Sequence, residues 1–230
     1  MTKKGKFIVI DGTDGSGKAT QVKLLVKRLR QNGYRVKTID FPRYYDNFFG
    51  KFIGECLANG HGNFVELDPY IASVLYAADR YESAKQLNKW LDEGSLVIAD
   101  RYASSNQIHQ GGKIGNAAAR KKFLAWLEKM EFEVFKIPRP NLIIYLEVPI
   151  EITQGLLSGK RAARKKRYLN GKKDIVESSR IYLDNSKRSA IELVKENNNW
   201  LKVDCAVAGK LMSRSKISDV VWDNVGNFLK

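Results

Sequence analysis

Short apolar runs alternate with amphipathic stretches along this chain. Phe7 to Ile10, Leu96 to Ala99 and Leu142 to Leu146 are continuous apolar runs, and Leu201 to Cys205 is a fourth, broken by polar residues. Runs of this length suit strands buried on both faces, as in a parallel sheet. Arg35 to Phe41 is a fifth candidate, entered after Asn32-Gly33 and stopped by Pro42. Between the runs, apolar residues recur at helical spacing: Val22, Leu25, Val26 and Leu29; Ile71, Val74, Leu75 and Ala78; Phe123, Trp126, Leu127 and Met130; Ile217, Val220 and Val221. Each such set lays one apolar stripe along a helix. The alternation predicts an α/β domain with helices covering both sheet faces, spanning residues 1–230 without an internal repeat.

Composition narrows the class. With 230 residues, 43% of them hydrophobic, the chain can bury a sizeable core, which excludes a disulfide-stapled miniprotein and a disordered tail. Forty Lys and Arg against 25 Asp and Glu give a net charge of +15. That balance attracts nucleotides, nucleic acid or an acidic membrane surface without choosing among them. Cys56 and Cys205 lie in separate apolar segments with no metal-ligand spacing, so they read as reduced structural thiols and not as a zinc site. The run at Phe7 follows a basic start and is too short for a signal peptide or a membrane span, so a soluble cytoplasmic protein is expected.

The first run leads into Gly12-Thr13-Asp14-Gly15-Ser16-Gly17-Lys18-Ala19-Thr20, and then into the first amphipathic helix. Glycines let the backbone curl so that N–H groups point at phosphate oxygens, and the helix N-terminus adds its positive dipole end. Strand, Gly-rich loop and helix in that order read as a phosphate-binding loop, with Lys18 placed to reach β- and γ-phosphates. The motif G-x-x-x-x-G-K-[ST] departs at Ala19, which has no hydroxyl for a magnesium ion, and Thr20 stands one place late. The metal then needs nucleotide oxygens, water and a carboxylate from elsewhere. Asp100-Arg101-Tyr102 closes the run at Leu96, where open α/β sheets place ligand groups. Asp100 can hold Mg²⁺ through water and Arg101 can grip a phosphate; the plainer reading is a strand-end ion pair. Lys160 to Lys173 carries eight cations and no acid, which by itself describes a solvated basic segment.

These pieces, with Phe41-Pro42-Arg43-Tyr44, Tyr76-Ala77-Ala78-Asp79-Arg80, Ser105-Asn106-Gln107-Ile108-His109-Gln110-Gly111 and Pro138-Arg139-Pro140-Asn141-Leu142, together resemble the thymidylate kinases, which are P-loop nucleoside monophosphate kinases. The resemblance covers nearly the whole chain. It implies a P-loop NTPase-type five-stranded parallel sheet with helices on both faces, a short basic lid at about residues 158–173, and transfer of the ATP γ-phosphate to dTMP. It also implies that Gly12 to Thr20 bind ATP and that Asp14 lies near the sugar 3′-OH and the donor phosphates. Arg43, Tyr44 and Arg101 match groups on the acceptor phosphate. Tyr76 matches an aromatic stacked on the base, Arg80 and Asn106 match base-contacting positions, and Phe41 packs around the base. Ser105, Gln110 and Asp174 fall on the acceptor side, and Glu177 completes an acid pair after the lid. Without the resemblance, Tyr76 reads as a core aromatic and Arg80 as a solvated charge.

Gly15 stands where some members carry a loop arginine, so the chain resembles those that supply the cation from the lid, here Arg161, Arg164 or Arg167. His109 stands where many members have an aromatic under the sugar. The family further implies a homodimer packed through the helix from Asp68 to Glu93. Two rivals stand beside dTMP kinase. One keeps the chemistry with another pyrimidine monophosphate or a deoxynucleoside as acceptor; the other is a non-enzymatic basic nucleotide- or nucleic-acid-binding protein. Against the last, the chain has no zinc spacing and no RNP aromatic signature, so no specific nucleic-acid partner is expected.

Overall fold

The computed structural model describes residues 4–58, 60–62, 64, 66–157 and 180–230. The expected lid cations Arg161, Arg164 and Arg167, together with Asp174 and Glu177, lie outside these residues. Five strands form one parallel sheet: β1 (Phe7–Gly12), β2 (Val36–Asp40), β3 (Leu96–Asp100), β4 (Leu142–Glu147) and β5 (Trp200–Asp204), in the order β2-β3-β1-β4-β5. The three continuous apolar runs are the three inner strands, buried along almost their whole length. The two interrupted runs are the edges, where burial alternates along each strand.

Alternation along β1 divides the core. Phe7 and Val9 face one layer with Leu87, Leu91, Val97, Leu193 and Trp200, whereas Ile8 and Ile10 face the other with Leu25, Leu29, Ile98, Ile144 and Val221. Helices α1 (Lys18–Gln31) and, near the C-terminus, α8 (Arg214–Leu229) cover the second layer. Helices α3 (Pro69–Asp92), α4 (Ala103–Gly112) and α7 (Arg180–Glu196) cover the first. Helix α2 (Phe48–Leu57) packs on α3, α5 (Ala117–Lys129) runs into a π-helical turn at Met130–Val134, and α6 (Ile150–Leu157) follows β4. A short hairpin, β6 (Ala206–Val207) with β7 (Lys210–Leu211), precedes α8.

The stripe on α3 corrects the expectation from periodicity. Asp68 caps the helix, accepting from Tyr70 N at 2.8 Å, and Pro69 opens it. Ile71 and Val74, expected in the core, are 55% and 38% exposed, while Ala72, Ser73, Ala77, Asp79 and Arg80 are buried. The inward face of α3 carries polar groups because it lines a cleft, and a helix whose buried face is polar defeats an apolar-stripe reading. Val220 on α8 is likewise 37% exposed. Helices α4 and α7 approach so closely that a Cβ at Gly112 would lie 3.0 Å from backbone atoms of Asn185 and Ser186.

Candidate active site

The loop from β1 to α1 has the geometry that its glycines allow. Gly15 and Gly17 adopt φ of 80° and 87°, and Gly17 caps α1. A side chain at Gly12 would meet Ser16 Oγ at 2.6 Å and the Leu146 carbonyl at 2.9 Å. The loop leads directly into the first turn of α1, the end of a helix that favours an anion, with Thr20 N already bonded to Gly17 O at 3.0 Å. Lys18 is buried, donating to the carbonyls of Gly12 at 3.0 Å and Thr13 at 2.9 Å, with Asp14 4.0 Å away. Burial, and then Arg101, lower its pKa. Ser16 Oγ is buried with no partner among the described residues.

Asp11 and Arg101 join this loop to α4. The buried Asp11 carboxylate accepts from Gly12 N at 2.8 Å, Ser104 Oγ at 2.6 Å and Ser105 Oγ at 2.8 Å. Arg101 adopts φ of 67°, unusual for a residue with a Cβ, and its N–H donates to Ile10 O at 3.0 Å. Its guanidinium pairs with Asp14, lies 3.6 Å from Asp11 and contacts His109 Nε2 at 3.0 Å. Burial opposes its charge, but Asp14, Asp11 and Asp100 outweigh that and raise its pKa. Because arginine can only donate, His109 Nε2 accepts; the ring proton is then on Nδ1 and is donated to Ser186 Oγ at 3.1 Å. Burial first, and Arg101 second, push His109 down to about 4, so the ring is neutral near pH 7. The ring also stacks on Tyr182 with centroids 5.8 Å apart.

From Asp14 and Arg101 an open cleft runs toward α3. Phe41, Pro42 and Tyr44 form one side, Tyr76 and Arg80 of α3 another, and Asn106, His109 and Gln110 of α4 the floor, with Ser105 beside Arg101. Arg43 does not line it: its guanidinium pairs with Asp46 at 2.8 Å, and its N–H donates to Asp79 at 3.2 Å. Arg80 is no solvated charge, being 2% exposed and held side-on by Glu131, with Nε 2.9 Å from Oε2 and Nη2 on Oε1. Asn106 Nδ2 donates to Glu131 Oε1 at 3.0 Å and to Ser73 O at 3.1 Å. Gln110 Oε1 is buried without a partner among the described residues.

Glu131, Tyr182, Asp11 and Ser104 were not singled out from sequence. Only Asp11 carried a signal, an acid where an apolar strand enters the glycine loop. Asp100 lies at the end of β3, beside Lys18, where burial raises its pKa against the pull of Lys18 and Arg101. Among the described residues no cluster of three or more metal-ligating side chains occurs. One carboxylate beside a phosphate loop suits Mg²⁺, which keeps its waters and takes its remaining ligands from substrate phosphates. No helix among the described residues is long and apolar enough to cross a membrane.

A phosphate loop at the end of β1, an Asp-Arg pair at the end of the neighbouring strand and a cleft between them define a P-loop nucleotide-binding protein. The thymidylate kinase family model matches residues 10–213, and the chain belongs to that family, whose members phosphorylate dTMP with ATP as donor. It is 32% identical over 158 residues to the thymidylate kinase of Mycobacterium tuberculosis, covering 69% of this chain and 72% of that one. To the probable thymidylate kinase of Thermococcus gammatolerans it is 34% identical over 161 residues, with 68% and 72% covered. A solved structure of thymidylate kinase from Candida albicans shares the fold, with a TM-score of 0.73 at 23% identity over 97% of this chain and 92% of that one.

Proposed function

We propose that residues 1–230 act as one nucleoside monophosphate kinase domain that transfers the γ-phosphate of ATP to dTMP, giving dTDP and ADP. The observation that carries this reading is the continuity of the cleft: its Asp14 and Arg101 end abuts the phosphate loop, and its far end is lined by Tyr76, Arg80 and Asn106. A ligand lying along it has an anion at the cationic end and a flat ring beside Tyr76.

Lys18 and the loop N–H groups cradle the donor phosphates, Arg101 holds the acceptor phosphate, and Asp14 orients the sugar 3′-OH. No side chain is needed as a base. Phosphoryl transfer proceeds through a loose transition state in which positioning and charge neutralisation supply the catalysis. Asp100 would hold Mg²⁺ through water, and the ion would supply charge neutralisation at the phosphates. Arg161, Arg164 and Arg167 are the proposed lid cations, and Asp174 belongs to the acceptor side. Arg43, turned to Asp46 in this structure, would join the acceptor phosphate only on releasing that carboxylate. We place the protein in the cytoplasm as a homodimer through α3, whose Ile71, Val74 and Tyr81 are each at least 38% exposed. Sedimentation of a variant with charged residues at positions 71 and 81 tests the dimer.

The reading is tested by coupled ADP release with Mg-ATP against dTMP, dUMP, dCMP, the ribose form of TMP, and thymidine. Turnover strongest with dTMP is expected. A nucleoside without phosphate is disfavoured, since it offers Arg101 no anion and forgoes that charge-assisted pairing. ATP binding without turnover of any acceptor would reject the kinase reading in favour of a binding protein.

A further inference from the structure

The buried carboxylate of Glu131 lies behind the base end of the cleft, outside the lining itself. A π-helical turn, Met130–Val134, carries it, and such turns redirect side chains out of the ordinary helical register. At 1% exposure it faces only protein, and its partners are the two side chains assigned to reading the base. It therefore fixes what those two side chains can offer a ligand.

Arg80 gives Nε and one Nη2 hydrogen to the carboxylate, which leaves its remaining N–H groups for the cleft. These can only donate. Asn106 is constrained more tightly, because both Nδ2 hydrogens are taken by acceptors, Glu131 Oε1 at 3.0 Å and Ser73 O at 3.1 Å. Neither partner can donate, so a flipped amide would set oxygen against oxygen at both contacts. The only atom that Asn106 can turn to a ligand is Oδ1, an acceptor.

One acceptor beside donors is the complement of a pyrimidine-2,4-dione edge, in which a ring N–H donor is flanked by carbonyl acceptors. It mismatches cytosine, which offers an unprotonated ring nitrogen and an amino donor at the same places. A site built to pair with a polar edge rejects the analogue that leaves its buried groups unpaired. We propose that Glu131 is a positioning residue that sets base specificity: its carboxylate locks Asn106 as an acceptor and Arg80 as a donor, selecting thymine and uracil over cytosine. This rests on the proposed base-binding roles of Asn106 and Arg80 and extends them to a residue that touches no ligand.

The test is Glu131→Gln. Its amide puts a donor where one carboxylate oxygen stood, opposing either Arg80 Nε or the Oε1 contact that Arg80 Nη2 and Asn106 Nδ2 share, so one group no longer holds both side chains in place. The expected result is a KM for dTMP raised on the order of tenfold, dTMP-over-dCMP selectivity in kcat/KM reduced on the order of a hundredfold, and a much smaller change in kcat. Unchanged selectivity in a folded variant would overturn the proposal. Because this substitution disturbs a buried ion pair, the wild-type chain supplies a second measurement, the ¹⁵N side-chain amide signal of Asn106. Its hydrogens should exchange slowly with water and keep their partners when dTMP is added; fast exchange in the free protein, or new donation to the ligand, would refute the lock. If wild type turns over no monophosphate, the kinase reading fails by itself, and the amide signal of the ligand-free chain still reports on the lock.

Discussion

The two ends of the cleft each hold a buried arginine, and they hold it differently. Arg80 has one side-on carboxylate partner, Glu131, and both groups are about 2% exposed. Arg101 is shared among Asp14, Asp11, Ser105 and His109, and its side chain retains 15% exposure. A bidentate pair with no spare partner holds one geometry, which suits reading a ring of fixed shape. A guanidinium with several partial partners can exchange some of them for phosphate oxygens without ever being left bare. On the proposed assignment, rigidity at the base end and replaceable partners at the phosphate end are thus two uses of the same side chain.

The comparison can be broken from either end. The largest effect is expected at the loop: Lys18→Ala should lower kcat on the order of a thousandfold while leaving the melting temperature nearly unchanged, read by single-turnover kinetics and calorimetry. At the base end, Glu131→Ala should cost about 3–5 kcal/mol of folding stability in urea unfolding, because it strands Arg80. The double variant Arg80→Met with Glu131→Leu should recover most of that loss and still bind dTMP poorly.

His109 should give a smaller effect with a defined sign. Its unfolded ring takes up a proton near 6.5 and its folded ring near 4, so the unfolded chain binds more protons in between. Folded stability therefore falls as pH drops through that window, by about 3 kcal/mol in all. Asp79 and Asp100, whose carboxyls burial raises, contribute the opposite slope. Comparing wild type with His109→Gln isolates the histidine: the variant should lack this loss, and its glutamine can still accept from Arg101. The smallest change is Ala19→Ser, expected to lower the Mg²⁺ concentration for half-maximal activity a few-fold with stability altered by less than about 0.5 kcal/mol.

Much of this arrangement was legible in the residues. The inner strands announced themselves because burial on both faces demands unbroken apolar runs, and the phosphate loop because few backbones other than glycine adopt its turns. The base end was far less legible. The inner face of α3 is polar where it meets the cleft, so its outward-facing Ile71 and Val74 mimicked a core stripe. Glu131 sits in Met-Glu-Phe-Glu-Val, where nothing marks one glutamate as buried and the other as a surface charge; two places apart on one π-helical turn, they face different sides. Arg43 matches an acceptor-phosphate position only through the family resemblance, and its geometry depends on Asp46, a pairing that linear order does not reveal.

Asp11 has a consequence for rate. One carboxylate receives the Gly12 N–H at the start of the phosphate loop and two hydroxyls at the start of α4, and it stands 3.6 Å from the Arg101 guanidinium. On the proposed assignment, the spacing between the two phosphoryl groups is therefore referenced to a single point in the molecule, much as two jaws are set by one pin. Loosening that pin would leave each substrate bound and lower the effective molarity with which one meets the other.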